Sequence, residues 1–275
     1  MILPRETQTH SAVADHYDDL DEIYRGLWGL DVHHGYWRTG RETPDQAVAA
    51  LSELVGGELA FKPGARLVDI GCGYGGTARR FADRGADVIG FSLSQEQIAH
   101  APAASRVELR CADWLANALP PDSFDGAYAI ESSEHMADKE RFFDEARRVL
   151  KSGGRLVVCA WLASDRPTGW QIRHLLEPIC REGRLPSMLT AGEYRDMAAA
   201  AGFRCLRYRD ISQSVARTWS ICFRRFLRAM VIDPAMRRHI LAARNRIFAL
   251  SVPRLILAYH TGAMRYGVFT LTAES

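Results

Sequence analysis

A chain of 275 residues is long enough to bury a large α/β core without metal or disulfide support, and a net charge of +2 excludes a protein that seeks polyanions globally. The six cysteines (Cys72, Cys111, Cys159, Cys180, Cys205, Cys222) form no C-x-x-C pair, so neither a zinc site nor a disulfide framework is expected, and reduced thiols suit a cytoplasmic protein. Glu6, Asp15, Asp18, Asp19 and Asp21 precede any apolar run, which argues against a targeting peptide, and no stretch approaches the ~20 apolar residues of a membrane span.

The first pattern along the chain is helical. Val13, Tyr17, Leu20 and Tyr24 share one helical face, with Ser11 as the expected cap. An aromatic loop, His33-His34-Gly35-Tyr36-Trp37, leads to a second helix, started by Thr43 as cap, Pro44 in the first turn and Gln46 reaching back. From Arg66 strands and helices alternate. Strands are predicted at 66–70, 87–91, 107–111, 124–130 and 154–161, and helices at 76–84, 94–101 and 138–150. Such alternation predicts a parallel sheet covered on both faces, with a third crossover that is mostly loop. After Trp161 the rhythm breaks. A helix opened by Thr190-x-x-Glu193 follows, then a strand at 204–210, long helical sequence over 212–262 and a last strand at 266–272.

The stretch Leu67-Val68-Asp69-Ile70-Gly71-Cys72-Gly73-Tyr74-Gly75-Gly76 carries the most information. A buried strand runs into alternating glycines and then a helix, so the backbone can turn tightly and a ligand can approach where a Cβ would collide. A dinucleotide fingerprint would read G-x-G-x-x-G with an acid about 20 residues on. Here the acid, Asp69, stands inside the strand end, where it would repel a pyrophosphate and suits a positive centre. An NAD-dependent oxidoreductase is therefore the weaker alternative.

Asp-x-Gly-x-Gly-x-Gly resembles the first motif of class I S-adenosylmethionine-dependent methyltransferases. Further segments are similar to the γ-tocopherol methyltransferase-like group, which includes plant alkaloid N-methyltransferases and bacterial natural-product methyltransferases. They are His33–Trp37, Gly90–Gln97, Ala112-Asp113, Glu131–Met136 and Val149–Gly154. The resemblance runs from about Tyr17 to the final strand. It implies a Rossmann-like, seven-stranded, mostly parallel sheet in one compact domain. Residues 1–64 would form a helical cover and 65–161 the S-adenosylmethionine-binding core. Residues 162–275 would complete the sheet and carry an acceptor-binding lid at about 162–203 and 212–262.

The same resemblance implies the cofactor contacts. Asp69, Gly71 and Gly73 would line its methionine end. Ser92 stands where most class I enzymes have a ribose-gripping acid, so Ser92, Leu93 and Gln97 would take the ribose and adenine face, although Ser94-x-x-Gln97 also reads as a capping box. Asp113 would accept from the adenine amine, with Ala112 and Trp114 as walls. Ile130 and Glu131 would lie beneath the cofactor, and His33 and Tyr36 would close over it.

His135 is the expected base, its imidazole kept neutral by the nearby sulfonium, with Glu134 orienting it or engaging the acceptor. A helix-capping role for this pair remains open. Related O-methyltransferases often carry a histidine pair here and an acid at the fifth strand's end, whereas this chain has Glu134-His135 and Ala160-Trp161. That departure favours C- or N-methylation of an aromatic, prenylated or alkaloid-like acceptor in secondary metabolism. O-methylation and a non-catalytic cofactor-binding protein are the alternatives. Tyr17, Tyr24, His34, Trp37, Trp161, Trp219 and Phe223 would bind the acceptor. Residues 217–254 hold nine arginines against one acid, Asp233. They read as a lid helix, apolar inward and basic outward, which leaves open a membrane-surface contact or an anionic acceptor. Neither nucleic acid nor a metal is expected, and monomer and homodimer both remain open.

Overall fold

A computed structural model describes residues 1–27, 29–242 and 248–274. Seven strands form one sheet: β1 (Arg66–Ile70), β2 (Asp87–Ser92), β3 (Val107–Cys111), β4 (Phe124–Ile130), β5 (Leu150–Ala163), β6 (Phe203–Asp210) and β7 (Met264–Ala273). Their order is β3-β2-β1-β4-β5-β7-β6. The first five pair in parallel, and β7 runs antiparallel between β5 and β6. The order reverses between β1 and β4, and at such a switch point the strand ends splay into a crevice that open α/β sheets use for ligands.

Both faces of the sheet are covered, which is why consecutive residues such as Leu67-Val68 in β1 and Ala127–Ile130 in β4 are all buried. On one face α6 (Lys139–Val149) and α9 (Ala191–Ala200) bury Phe142, Phe143 and Tyr194 against Val68, Val158 and Leu271. On the other, α3 (Pro44–Leu59) and α4 (Gly76–Asp83) bury Leu51, Val55 and Phe81 against Leu67, Tyr128 and Val157. Each such side chain contributes about 1.5–3 kcal/mol. The expected capping boxes are present at Thr43/Gln46 and Thr190/Glu193.

Several local expectations are revised. The opening helix is two, α1 (His10–Asp19) and α2 (Asp21–Leu27), and Thr9 rather than Ser11 caps the first. Segment 162–200 contains an unexpected helical stretch: α7 (Gly169–Gln171), a π turn (Ile172–Leu176) and α8 (Glu177–Glu182). Pro178 in its first turn obscures that helix in the sequence, because proline usually signals a break. The crossovers follow expectation: the second is the short α5 (Gln95–His100), and the third is mostly loop with a 3-10 turn (Trp114–Ala116).

The late insertion is helical as expected: α10 (Ser212–Val215), α11 (Arg217–Ile232), α12 (Pro234–Ala242) and α13 (Phe248–His260). Arg244 and Arg246 lie outside the described residues. On α11, Trp219 and Cys222 pack inward against Leu176, Ile179 and Leu255. Its outer face is not purely basic. Leu227, Val231 and Ile232 stand exposed beside Arg224 and Arg228.

Candidate active site

A cleft follows the carboxyl ends of β1 to β4. Its floor is the glycine loop. Gly71 has φ +81°, and a Cβ there would strike Ser132, so only glycine lets the chain leave β1 at this angle. Asp69 lines the cleft and accepts from Tyr128 Oη at 2.9 Å. Burial, opposed by that hydrogen bond and assisted by the charge of Asp31, pushes its carboxyl up to about 7.

Beyond β2, Ser92, Leu93 and Gln97 line the wall. Ser94 caps α5 by accepting from Gln97 N, but the reciprocal half of a capping box is missing. Gln97 Oε1 instead accepts from Ser92 Oγ at 2.8 Å, and Ser92 Oγ in turn accepts from Ser94 N. Gln97 therefore belongs to the cleft as well as to the helix start. Ala112, Asp113, Trp114 and Ile130 complete this end of the cavity. Asp113 also caps the 3-10 turn by accepting from Leu115 N at 2.8 Å.

Glu131, just past β4, adopts φ +54°, uncommon for a residue with a Cβ. Four donors hold it there. His34 N and Tyr266 Oη reach Oε1 at 2.7 and 2.8 Å, and His34 Nδ1 and Trp161 Nε1 reach Oε2 at 2.8 and 2.9 Å. Burial alone would raise this carboxyl, but the charge and hydrogen bonds of His34 outweigh it and bring it down to about 2. Glu131 is a buried, ionised carboxylate.

His135 ends a 3-10 turn (Ser133–His135). Its Nε2 meets Tyr17 Oη at 3.0 Å, and its Nδ1 faces Arg184 O at 3.4 Å. A carbonyl only accepts, so Nδ1 carries the proton and Nε2 accepts from the tyrosine. Burial, opposed by the Arg184 hydrogen bond, lowers the ring to about 4. The imidazole is neutral as expected, but burial is the cause, and no cofactor charge is needed.

A second cavity of about 440 Å³ opens beside the first. Tyr17, Val32, His33, Glu131 and His135 line both. His16, Tyr24, Trp161, Leu185 and Trp219 line only this antechamber. His16 Nε2 bonds Tyr24 Oη at 3.0 Å, and burial brings that ring down to about 3, so it is neutral like His135.

Other expected site residues point elsewhere. Glu134 lines neither cavity. Its Oε1 accepts from Trp161 N at 2.6 Å, and burial pushes its carboxyl up to about 8, so it supports the wall from beneath. His34 is fully buried and lines neither cavity; it supports the site through Glu131 and through ring contacts with Trp161 and Trp219. Tyr36 packs against the core under α3, and Trp37 donates to Thr218 at 3.3 Å with Arg217 over its ring, so both plug the far side of the loop. Phe223, half-buried on α11, also lines neither cavity.

Several contributors escaped the sequence reading, among them His16, Asp31, Val32, Leu185 and Tyr266. His16 shares the Val13–Tyr17 face and could have been found from it. Asp31, Leu185 and Tyr266 carry no local signal. Among the described residues, one group, Asp21, Glu96 and His100, has donor atoms close enough to share a cation, but Tyr74 and Arg25 already engage both oxygens of Asp21.

Residues 4–234 match the family described as mycolic acid cyclopropane synthetase. The chain is 31% identical to 27-O-demethylrifamycin SV methyltransferase of Amycolatopsis mediterranei over 79% of its own length and 83% of the relative's. It is 26% identical to chloroplastic tocopherol O-methyltransferase of Arabidopsis thaliana, over 94% and 80%. Among solved structures, the [4+2]-cyclase SpnF superposes with a TM-score of 0.84 at 26% identity, covering 100% of this chain and 99% of that one. The cyclopropane synthase MmaA2 of Mycobacterium tuberculosis shares the fold, with a TM-score of 0.82 at 23% identity over 98% and 99%.

Proposed function

The chain belongs to the mycolic acid cyclopropane synthetase family and is an S-adenosylmethionine-dependent methyltransferase, and we propose that it methylates a carbon or nitrogen of a small aromatic, prenylated or alkaloid-like natural product. One observation carries this reading. The cleft along the strand ends and the aromatic antechamber meet at a shared wall containing an ionised carboxylate and a neutral imidazole.

When bound, S-adenosylmethionine supplies a methyl group on a cationic sulfur. The protein's share is mostly alignment, on the order of 7–11 kcal/mol when reacting atoms are held in line. Tyr17, Tyr24, Trp161 and Trp219 enclose a flat or unsaturated acceptor and exclude water. Positive charge passes to the acceptor as the new bond forms, and Glu131 keeps a negative charge at that junction. His135, at about 4, is too weak a base to draw a proton from a neutral hydroxyl, which ionises near pH 10 in a phenol. It is matched to the carbocation left by C-methylation of an unsaturated acceptor, which gives up its proton readily, whereas an N-methylated ammonium leaves with its proton and needs no base. Residues 1–64 and the segments 162–203 and 212–262 serve as the cover over this acceptor site.

Exposed Leu227, Val231 and Ile232 alternate with Arg224 and Arg228 over an arc of about 140° on α11. That pattern supports weak contact with an anionic membrane surface, a route for a lipophilic acceptor. No described helix is long and apolar enough to cross a membrane.

O-methylation is the second reading. It is favoured by the Tyr17 hydroxyl already seated on His135 Nε2, which shows that the position accepts an O–H. Methyl-labelled cofactor incubated with amine, prenyl and phenol acceptors, with products located by NMR, separates the two. Label on carbon or nitrogen supports the proposal; label only on oxygen overturns it.

A further inference from the structure

Asp31, between α2 and the aromatic loop, belongs to no motif, yet three observations single it out. It lines the cleft at the glycine-loop end, with Asp69, Gly71 and Gly76. Its Oδ2 accepts from Arg80 Nη2 on α4 at 3.1 Å, which pins the side chain. Its Oδ1 is buried and meets no hydrogen-bond donor among the described residues. The backbone makes room for this carboxylate, because a Cβ at Gly76 would drive into it. Asp31 is near enough to Asp69 for its charge to oppose ionisation there. Two carboxylates thus line one end of the cleft, and among the described residues the basic group hydrogen-bonded to them is Arg80, on Oδ2 of Asp31 and not on the orphaned Oδ1.

An orphaned buried acceptor is costly unless a ligand supplies the donor. We propose that Asp31 Oδ1, together with Asp69, receives the α-ammonium of the cofactor's methionine half, making Asp31 a cofactor-binding residue. The inference rests on the cleft being the cofactor site. An ammonium offers three N–H donors and a full positive charge, so it answers both the missing donor and the repulsion between the carboxylates. Arg80 and Gly76 then act as positioning elements, one holding the carboxylate and the other vacating its place.

Calorimetric titration tests this with three ligands: S-adenosylhomocysteine, its analogue lacking the amino group, and 5′-methylthioadenosine, which lacks the whole amino-acid part. The wild type should bind the first about tenfold or more tightly than the deaminated analogue. Asp31→Asn should abolish that preference while leaving 5′-methylthioadenosine affinity unchanged. Equal binding of the first two by the wild type overturns the proposal, whether or not the variant folds. A variant that keeps the preference, or that loses all three ligands alike, also overturns it. Failure of 5′-methylthioadenosine to compete with S-adenosylhomocysteine in the wild type would instead remove the underlying placement of the cofactor.

Discussion

Glu131→Gln removes the ionised carboxylate buried at the junction of the two cavities. The amide has the shape of the carboxylate but can accept on one side only. If its NH2 lies on the Oε2 side, it confronts Trp161 Nε1–H; on the Oε1 side, it confronts the backbone N–H of His34. Neither donor can become an acceptor, so one buried N–H is orphaned in either orientation. The native carboxyl is held at about 2 against an ordinary 4.5, equivalent to about 3 kcal/mol in favour of the ionised form. The variant should lose roughly that much stability, lowering its melting temperature by about 6–12 °C for a domain of this size. Glu131 ionises more readily folded than unfolded, so its contribution is complete above pH 4.5 and fades as pH falls towards 2. Below pH 6.5 the unfolded chain takes up protons that buried His16 and His135 refuse until about 3 and 4, while the folded chain already holds protons on Asp69 and Glu134 that the unfolded chain lacks; these effects oppose each other and are shared by both proteins, so they drop out of the difference. Circular-dichroism melts between pH 8 and 3 should therefore show a gap that is constant above about pH 5 and narrows below it. Turnover should fall by about a hundredfold if the same charge stabilises the transition state. A variant melting within about 1 °C of the wild type, with no pH-dependent gap, would refute the reasoning.

Two further outcomes are expected. His135→Ala should lower kcat by about a hundredfold or more while cofactor affinity stays within a few-fold, and wild-type kcat should stay level from pH 8 to about 5 and drop only as the ring protonates near 4. An inflection near 6.5 would contradict the buried imidazole, and unchanged turnover in the variant would leave alignment as the whole mechanism. On the lid, the wild type should co-sediment with phosphatidylglycerol vesicles at low salt but not with phosphatidylcholine. Val231→Asp combined with Ile232→Asp should stay in the supernatant. Wild type that ignores both vesicles removes the membrane-surface reading.

Particular residues mark how far the sequence could be read. The strand at 66–70, the glycine turn after it and the capping boxes at Thr43 and Thr190 appear where expected. Asp69, Ser92, Gln97, Asp113, Ile130 and Glu131 all reach the cleft. These residues sit at or just past strand ends, so once the strands were legible the crevice they border was legible too. Resemblance supplied the cofactor, which alternation and spacing alone would not have named. The aromatic loop shows where legibility stopped. Of His33, His34, Tyr36 and Trp37, only His33 faces the cavities. Three neighbours turn into the core, because Glu131, α3 and Thr218 claim them. Glu134 and His135 divide in the same way, one beneath the wall and one facing the cavity.

Backbone sterics and side-chain period are local, and they determined the alternating elements, the glycine turn and therefore the crevice at the strand ends from the sequence alone. The antechamber is nonlocal. His16, Glu131, Trp161, Leu185 and Trp219 come from five separate stretches of chain, and Tyr266, from a sixth, holds Glu131 in place. Which of them points inward, which histidine stays neutral and which carboxylate stays charged are set by burial and hydrogen-bond partners that exist only once those stretches have packed together.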